Sequence, residues 1–370
     1  MKINNFKLER YFAEHEFSAK YLLSSSDCDG FEMEYLLQQA NSSEKNLWLN
    51  LKLGYTESQG HPLLRQSIIQ YYQTNNIDNV VVATPGELNF ISMNVLLEPT
   101  DHVITVAPCY QSLYQVVKSI GSELSYWNPD NENWEFNPND FEKLIQNNTK
   151  LLVINFPHNP TGAYLKREQL DDIVKIARKH NITIFSDEMY HKLNIDSEEL
   201  PPISDIYEKG ISLWGTSKTF GLAGLRTGWL VAQDADFLSK VVSYKDYLSI
   251  CNSAPSEVLT LIALNHIDQF LQTNIKKIKK NVALFEQFTK NHSIIKSFVA
   301  PKAGSTSLVE LDIKSTSLDF SNELVKETGI MTVPAEMFEH PGKYMRVGFG
   351  RENFSEVLEC FDGYLLNKYG

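Results

Sequence analysis

No stretch of the chain approaches the run of about 18–20 apolar residues that a membrane helix needs. A helical membrane protein is therefore not expected. Cysteine is scarce: Cys28, Cys109, Cys251 and Cys360 are scattered, with no Cys-x-x-Cys pair and no histidine at metal-ligand spacing. That excludes a disulfide framework and a zinc site, and it points to a reducing cytoplasm. The opening MKINNFKLERYFAEHEF is charged and amphipathic and lacks the apolar centre of a secretory signal. There is no internal repeat and no low-complexity linker. Basic charge is also short: 34 Lys and Arg against 46 Asp and Glu leave a net charge of −12. Nucleic acid is then a poor partner. The one dense basic run, Lys276-Lys277-Ile278-Lys279-Lys280, has apolar neighbours at helical spacing and reads as the solvated face of a helix.

What is present is an ordinary globular composition, 42% hydrophobic and 22% charged, in a chain of 370 residues. That length suggests two domains. Residues 5–23 and 31–40 read as amphipathic helices. Between about 80 and 250, short apolar runs alternate with helical patterns. The runs are Asn79–Ala83, His102–Ala107, Leu151–Asn155, Ile182–Asp187, Ile211–Gly215 and Thr227–Ala232. Each is β-branched and apolar throughout, as strands buried on both faces are. An α/β unit with a mostly parallel sheet follows. Helices are expected at 256–265 and 267–291. Strands at Ser307–Leu311 and Tyr344–Gly348 and a helix near 353–368 complete a smaller α+β unit.

Ligands of open α/β sheets bind beyond the carboxyl ends of the strands, so the residues following each run matter most. Thr84-Pro85-Gly86-Glu87-Leu88 opens a helix with a glycine that could let backbone N–H groups reach a phosphate, or could be only a turn. Tyr110 follows Pro108-Cys109 and can stack on a flat ligand or pack in the core. Phe156-Pro157-His158-Asn159-Pro160-Thr161-Gly162 is a stiff, sharply turned loop that can hold Asn159 in one pose. Asp187 leaves a buried strand and needs a cation, a helix N-terminus or a salt bridge. Thr216-Ser217-Lys218-Thr219-Phe220-Gly221 places a lysine in small, mostly apolar surroundings that lower its pKa and make it a usable nucleophile. Ser217 and Arg226 beside it are good phosphate ligands. Together these supply an amine, a ring partner, a stacking aromatic and a phosphate cradle at one sheet edge, the set that pyridoxal 5′-phosphate requires.

With HNPTG (158–162), SDEMY (186–190), SKTFGLAGLR (217–226) and MRVGFG (345–350) in this order, the chain resembles the class I/II aminotransferases, which are fold-type I pyridoxal-phosphate enzymes. The resemblance covers essentially the whole chain. It implies a large domain with a mostly parallel seven-stranded sheet over residues 42–265. Residues 1–41 and 266–370 would form the smaller α+β domain. It further implies that Lys218 holds the cofactor as a Schiff base and moves the substrate α-proton. Asp187 would pair with the ring nitrogen, and Tyr190 and Asn159 would bond the phenolic oxygen. Tyr110 would stack on the ring. Gly86, Glu87 and Leu88 would offer N–H groups to the phosphate beside Ser217 and Arg226. Tyr55 would reach the phosphate of a neighbouring subunit in a homodimer with shared sites. Arg346 would grip the substrate α-carboxylate. No metal is implied.

Three departures stand out. Gly215 replaces a frequent Ser or Thr, which leaves Thr216 to supply that hydroxyl or leaves it missing. Glu87 replaces a small residue, so its carboxylate should point away from the phosphate. Ser24–Asp27 occupy a segment that often carries a substrate-contacting glycine. The expected reaction is amino-group transfer from an L-amino acid to a 2-oxo acid. The alternative is another reaction on the same scaffold: β- or γ-elimination, cyclisation of an amino acid, or its oxidation. No second arginine suited to a dicarboxylic substrate is visible.

Overall fold

The computed structural model of the chain describes residues 2–73, 76–130 and 132–369. Seven strands form the larger sheet, in the order Val80–Ala83, Gly228–Ala232, Gly210–Gly215, Thr183–Asp187, Thr149–Asn155, His102–Val106, Glu123–Trp127. Only Gly228–Ala232 runs against its neighbours; the remaining pairs are parallel. The six runs expected from the sequence are all strands, and their side chains are buried because helices cover both faces of the sheet. The seventh strand, Glu123–Trp127, lies at the edge and is largely half-exposed. Its sequence ELSYW therefore has no continuous apolar run to betray it.

The second sheet is antiparallel, in the order Val333–Pro334, Tyr344–Gly348, Thr306–Leu311, Ile295–Phe298. One apolar cluster joins it to the helices Ile267–Asn291, Ser317–Thr328 and Phe354–Tyr369 through Phe285, Phe288, Phe320, Phe349 and Phe361. The first of these helices has the bounds its periodicity predicts. The amino-terminal segment differs from expectation. Its helix spans only Lys7–His15, and Tyr21–Leu22 then pair in parallel with Ile330–Met331. Tertiary strand pairing has overridden the local helical pattern of residues 5–23. The helix Met33–Gln39, expected with the smaller unit, has Leu36 in the apolar cluster of the larger sheet's flank, with Val80, Trp214 and Ile262.

Two pairs of glycines fix how these parts meet. Gly215 and Gly228 lie opposite each other across neighbouring strands. A Cβ on Gly228 would stand 2.6 Å from Pro85 Cγ, and one on Gly215 would stand 2.9 Å from the Thr227 carbonyl oxygen. Their bareness lets Pro85, and the helix Pro85–Leu96 that it begins, sit directly over the strand ends. Gly348 and Gly350 do the same for residues 25–28, since a Cβ on either would overlap the Ser25 or Asp27 backbone. The Gly348 N–H donates to the Leu23 carbonyl, and the Asp29 N–H to that of Gly350.

Gly228→Ala should lower stability by about 1–3 kcal/mol, the usual cost of forcing an extra methyl into a tight contact. Urea unfolding would show it as a lower midpoint with an unchanged slope.

Candidate active site

The carboxyl ends of the larger sheet's strands, the amino-terminal helix and the strand Tyr344–Gly348 enclose a cavity of about 430 Å³. Nine of the residues singled out from the sequence line it: Gly86, Tyr110, Asn159, Asp187, Tyr190, Ser217, Lys218, Arg226 and Arg346. Three do not. Leu88 is fully buried, and its N–H donates to the Thr84 carbonyl at 3.0 Å, so the helix itself has used the group a phosphate would need. Glu87 turns its carboxylate away to accept from the Ser249 N–H at 3.3 Å, as the charge argument expects. Tyr55 is 89% exposed on the surface.

Asn155 and Asp187 end adjacent parallel strands as direct partners, and the Asn155 amide donates to the Asp187 carbonyl at 2.8 Å. The Asp187 carboxylate is buried. Burial pushes its pKa up to about 6, against the opposing pull of the Met189 N–H at 3.2 Å and of the Lys218 charge. The Lys218 amine donates to Ser26 Oγ at 2.8 Å, and burial lowers its pKa. The Tyr190 hydroxyl donates to the Ser26 carbonyl at 3.2 Å, and burial raises its pKa further above the ordinary phenol value.

Arg346 is fully buried. It donates through Nε and Nη2 to the Ser24 carbonyl at 3.1 and 2.8 Å, and through Nη1 to Asn159 Oδ1 at 3.1 Å. That last bond leaves the two N–H donors of the Asn159 amide for another acceptor. The loop holding Asn159 is fastened in turn by its own N–H, which donates to Asn155 Oδ1 at 3.0 Å.

At the other end of the cavity, Gly86 lies in the first turn of the helix Pro85–Leu96. Thr84 makes no side-chain cap there. No atom lies within 4 Å of where a Cβ on Gly86 would be. The chain's own packing therefore does not demand a glycine, whereas an anion drawn close to the first N–H groups would. Ser217 and the exposed Arg226 border the same end. Thr216 does not replace the hydroxyl absent at Gly215: it is buried and donates to the Thr227 carbonyl at 3.0 Å.

Leu8, Glu9, Phe12 and Glu16, from the amino-terminal helix and the turn after it, also line the cavity, and neither carboxylate had a signal in the sequence. Ser25, Ser26 and Asp27 join them from the segment where the family resemblance places a substrate contact. Asn89 and Ser112 are hydrogen-bonded to each other beside Gly86. Phe12 lines the cavity beside Tyr110 and Tyr190, unlike other aromatics of the chain. Tyr11 and Tyr21 are core residues and Tyr247 is exposed.

The profile of the family described as aminotransferase class I and II matches residues 18–359. The chain belongs to this family. An aspartate aminotransferase of Sulfolobus acidocaldarius is 30% identical over 307 residues, covering 77% of this chain and 74% of that protein. A capreomycidine synthase of Streptomyces vinaceus is 26% identical over 275 residues, covering 73% and 70%. The crystal structure of a pyridoxal-phosphate-dependent aminotransferase from Streptococcus suis superimposes with a TM-score of 0.92 at 30% identity and covers 99% of each chain. The aminotransferase described here is thus a transaminating enzyme of fold type I.

Next to Asp187 in this aminotransferase, Glu188 is buried just beyond the strand end and outside the cavity lining. Its Oε1 accepts from the Ile203 N–H at 2.9 Å and from Ser212 Oγ at 3.0 Å. Burial pushes its pKa up to about 8. A carboxyl whose folded pKa is raised stabilises fully below its unfolded value, and that contribution is lost as pH rises through the folded value. Glu188→Gln should therefore become progressively more stable than the parent between pH 4.5 and 8, by up to about 1.4 kcal/mol per pH unit. Chemical denaturation of both proteins across that range measures it, and parallel pH profiles would contradict it.

Proposed function

We propose that this aminotransferase binds pyridoxal 5′-phosphate through Lys218 and moves the amino group of an L-amino acid to a 2-oxo acid. One observation carries the reading. A lysine, a carboxylate and a guanidinium, Lys218, Asp187 and Arg346, line one cavity, and none of them has an oppositely charged ion-pair partner among the described residues. Each lacks the partner that one part of a cofactor–substrate pair would bring.

Bound pyridoxal phosphate supplies a carbonyl carbon that condenses with primary amines and a ring that withdraws electrons from the substrate α-carbon. Asp187 accepts a hydrogen bond from the ring nitrogen and keeps it protonated. Tyr190 and Asn159 donate to the phenolic oxygen, and Tyr110 packs on the ring. The Gly86 and Glu87 N–H groups, the Ser217 hydroxyl and Arg226 hold the phosphate. Arg346 grips the α-carboxylate with its planar fork. Lys218, its pKa lowered by burial, would take the proton from the substrate α-carbon and return it two bonds away, to the carbon on the far side of the amine nitrogen. Leu8 and Phe12 roof the cavity and limit water.

Residues 42–265 are proposed as the cofactor-binding domain, and 1–41 with 266–370 as the smaller one. The apolar cluster of Phe285, Phe320 and Phe361 supports the smaller unit, while Leu36 and Ala40 pack with Val80 and Trp214 on the flank of the larger sheet. The enzyme is proposed to be a cytoplasmic homodimer in which Tyr55 reaches the partner's phosphate site. Leu49, Leu53, Tyr55 and Tyr247 are each at least 80% exposed, which supports a contact face.

Incubated with a donor amino acid and no oxo acid, the enzyme should release one 2-oxo acid per site and then pass the retained nitrogen to an added 2-oxo acid. Steady release of ammonia, peroxide or a cyclised product would replace transfer with the alternative chemistry. Lys218→Ala should lower turnover by at least about 10⁴-fold while unfolding cooperatively like the parent. Arg346→Lys should raise the donor KM by about 10–100-fold with a smaller change in kcat, because a point charge cannot make the paired bonds.

A further inference from the structure

The cavity holds more negative charge than the cofactor and the α-carboxylate account for. Its cations are Lys218, Arg226 and Arg346, and its carboxylates are Glu9, Glu16, Asp27 and Asp187. In the reading above, each cation and Asp187 already has a role. Three carboxylates remain, with no cation left for a substrate side chain to meet.

These three are not equivalent. Glu9 accepts from the Tyr110 hydroxyl at 2.7 Å. Asp27 is bridged by Arg351 at 3.3 Å, and Arg351 also reaches Asp29 at 3.4 Å. Glu16 has no side-chain hydrogen bond or ion pair among the described residues, yet it is half-buried at the cavity wall. Burial, and then the neighbouring Asp27 and Glu9 charges, push its pKa up, so the three carboxylates sense one another across the same space.

The geometry also gives the group that binds there an apolar stem. Glu9, Phe12 and Glu16 are spaced three and four residues apart, and the helical backbone continues through Glu16, so they share one face. The Arg346 guanidinium lies 5.8 Å from the centre of the Phe12 ring. A substrate held by its α-carboxylate at Arg346 therefore runs its side chain past Phe12 toward Glu16. An aliphatic chain ending in a cation matches that path, stem on the ring and charge at the carboxylate.

We infer that the amino donor is a basic amino acid, with an ammonium or guanidinium side chain received by Glu16, supported by Asp27 and Glu9. This inference rests on the proposed transamination reading. It sets this chain apart from a dicarboxylate-specific site, since a second carboxylate on the substrate would face Glu16 and Glu9, with Asp27 already paired to Arg351.

The test measures two things on the cofactor-loaded enzyme, calorimetric affinity for a panel of L-amino acids and transfer of their nitrogen to a 2-oxo acid. L-Arginine, L-ornithine and L-lysine should bind about 10–100-fold more tightly than L-leucine or L-aspartate, the range for a charge-assisted contact. Preference for arginine alone would indicate a forked contact, and equal binding of all three a point charge; either supports the inference. In Glu16→Gln the ratio of basic to neutral affinity should fall about tenfold. In Glu16→Lys the preference should move toward L-aspartate. Cooperative urea unfolding of both variants secures the comparison. Parent affinity for L-leucine or L-aspartate equal to that for the basic amino acids, or a ratio unmoved in both variants, would overturn the inference even if transfer proceeds. Selective binding of basic amino acids without nitrogen transfer would uphold the Glu16 side-chain subsite and sink the transamination reading on which the donor role rests.

Discussion

Arg346 stands fully buried on a central strand of the smaller sheet, and its guanidinium donates to the Ser24 carbonyl and the Asn159 side chain. Those partners lie 322 and 187 residues earlier in the chain. An ion in such a place is tolerated only if its hydrogens are satisfied, and removal of its acceptors would leave a charge too costly to bury. Neutral acceptors satisfy geometry without cancelling charge. The guanidinium thus fastens the amino-terminal segment, the Asn159 loop and the carboxyl-terminal strand together, and still keeps its attraction for an anion. The same contact that closes the fold therefore prepares the site.

The sheet edge follows the same logic. Asp187 and Lys218 are each held by a hydrogen bond with a neutral group, and burial shifts both pKa values toward the neutral form. The strands beneath supply rigidity. Gly215 and Gly228 let Pro85 pack close, which brings the first turn of a helix to the cavity's phosphate end. Charge and stiffness thus come from separate parts of the chain and meet at one place.

Much of this was legible in the sequence because it is local. A strand buried on both faces declares itself by a continuous apolar run, and the residues just beyond its end are then known by position. Asp187, Asn159, Lys218 and Ser217 are of this kind. Glu123–Trp127 was not legible, because an edge strand mixes polar and apolar residues. Leu88 misled because its N–H looks free in the sequence but is taken within the helix. Glu9 and Glu16 gave no signal, and Ser25–Asp27 were marked only by the family resemblance: they belong to the cavity through tertiary contacts, such as Lys218 with Ser26 across 192 residues. Tyr21–Leu22 likewise became a strand only because Ile330–Met331 were there to pair with.

The closeness of Gly348 and Gly350 to residues 25–28 has a consequence for how this enzyme can change. The segment's course is set by main-chain bonds, from Gly348 to Leu23 and from Asp29 to Gly350, and by the bare surfaces of two glycines. Of its side chains, Ser26 is tied to Lys218 and Asp27 to Arg351, whereas Ser25 makes no side-chain hydrogen bond among the described residues. Ser25 is therefore the replaceable tile of this stretch, a codon whose product faces the reactants while the track stays fixed. Diversifying that codon explores new chemistry at the cavity wall without redesigning the scaffold, a freedom that residues on the packed strands lack.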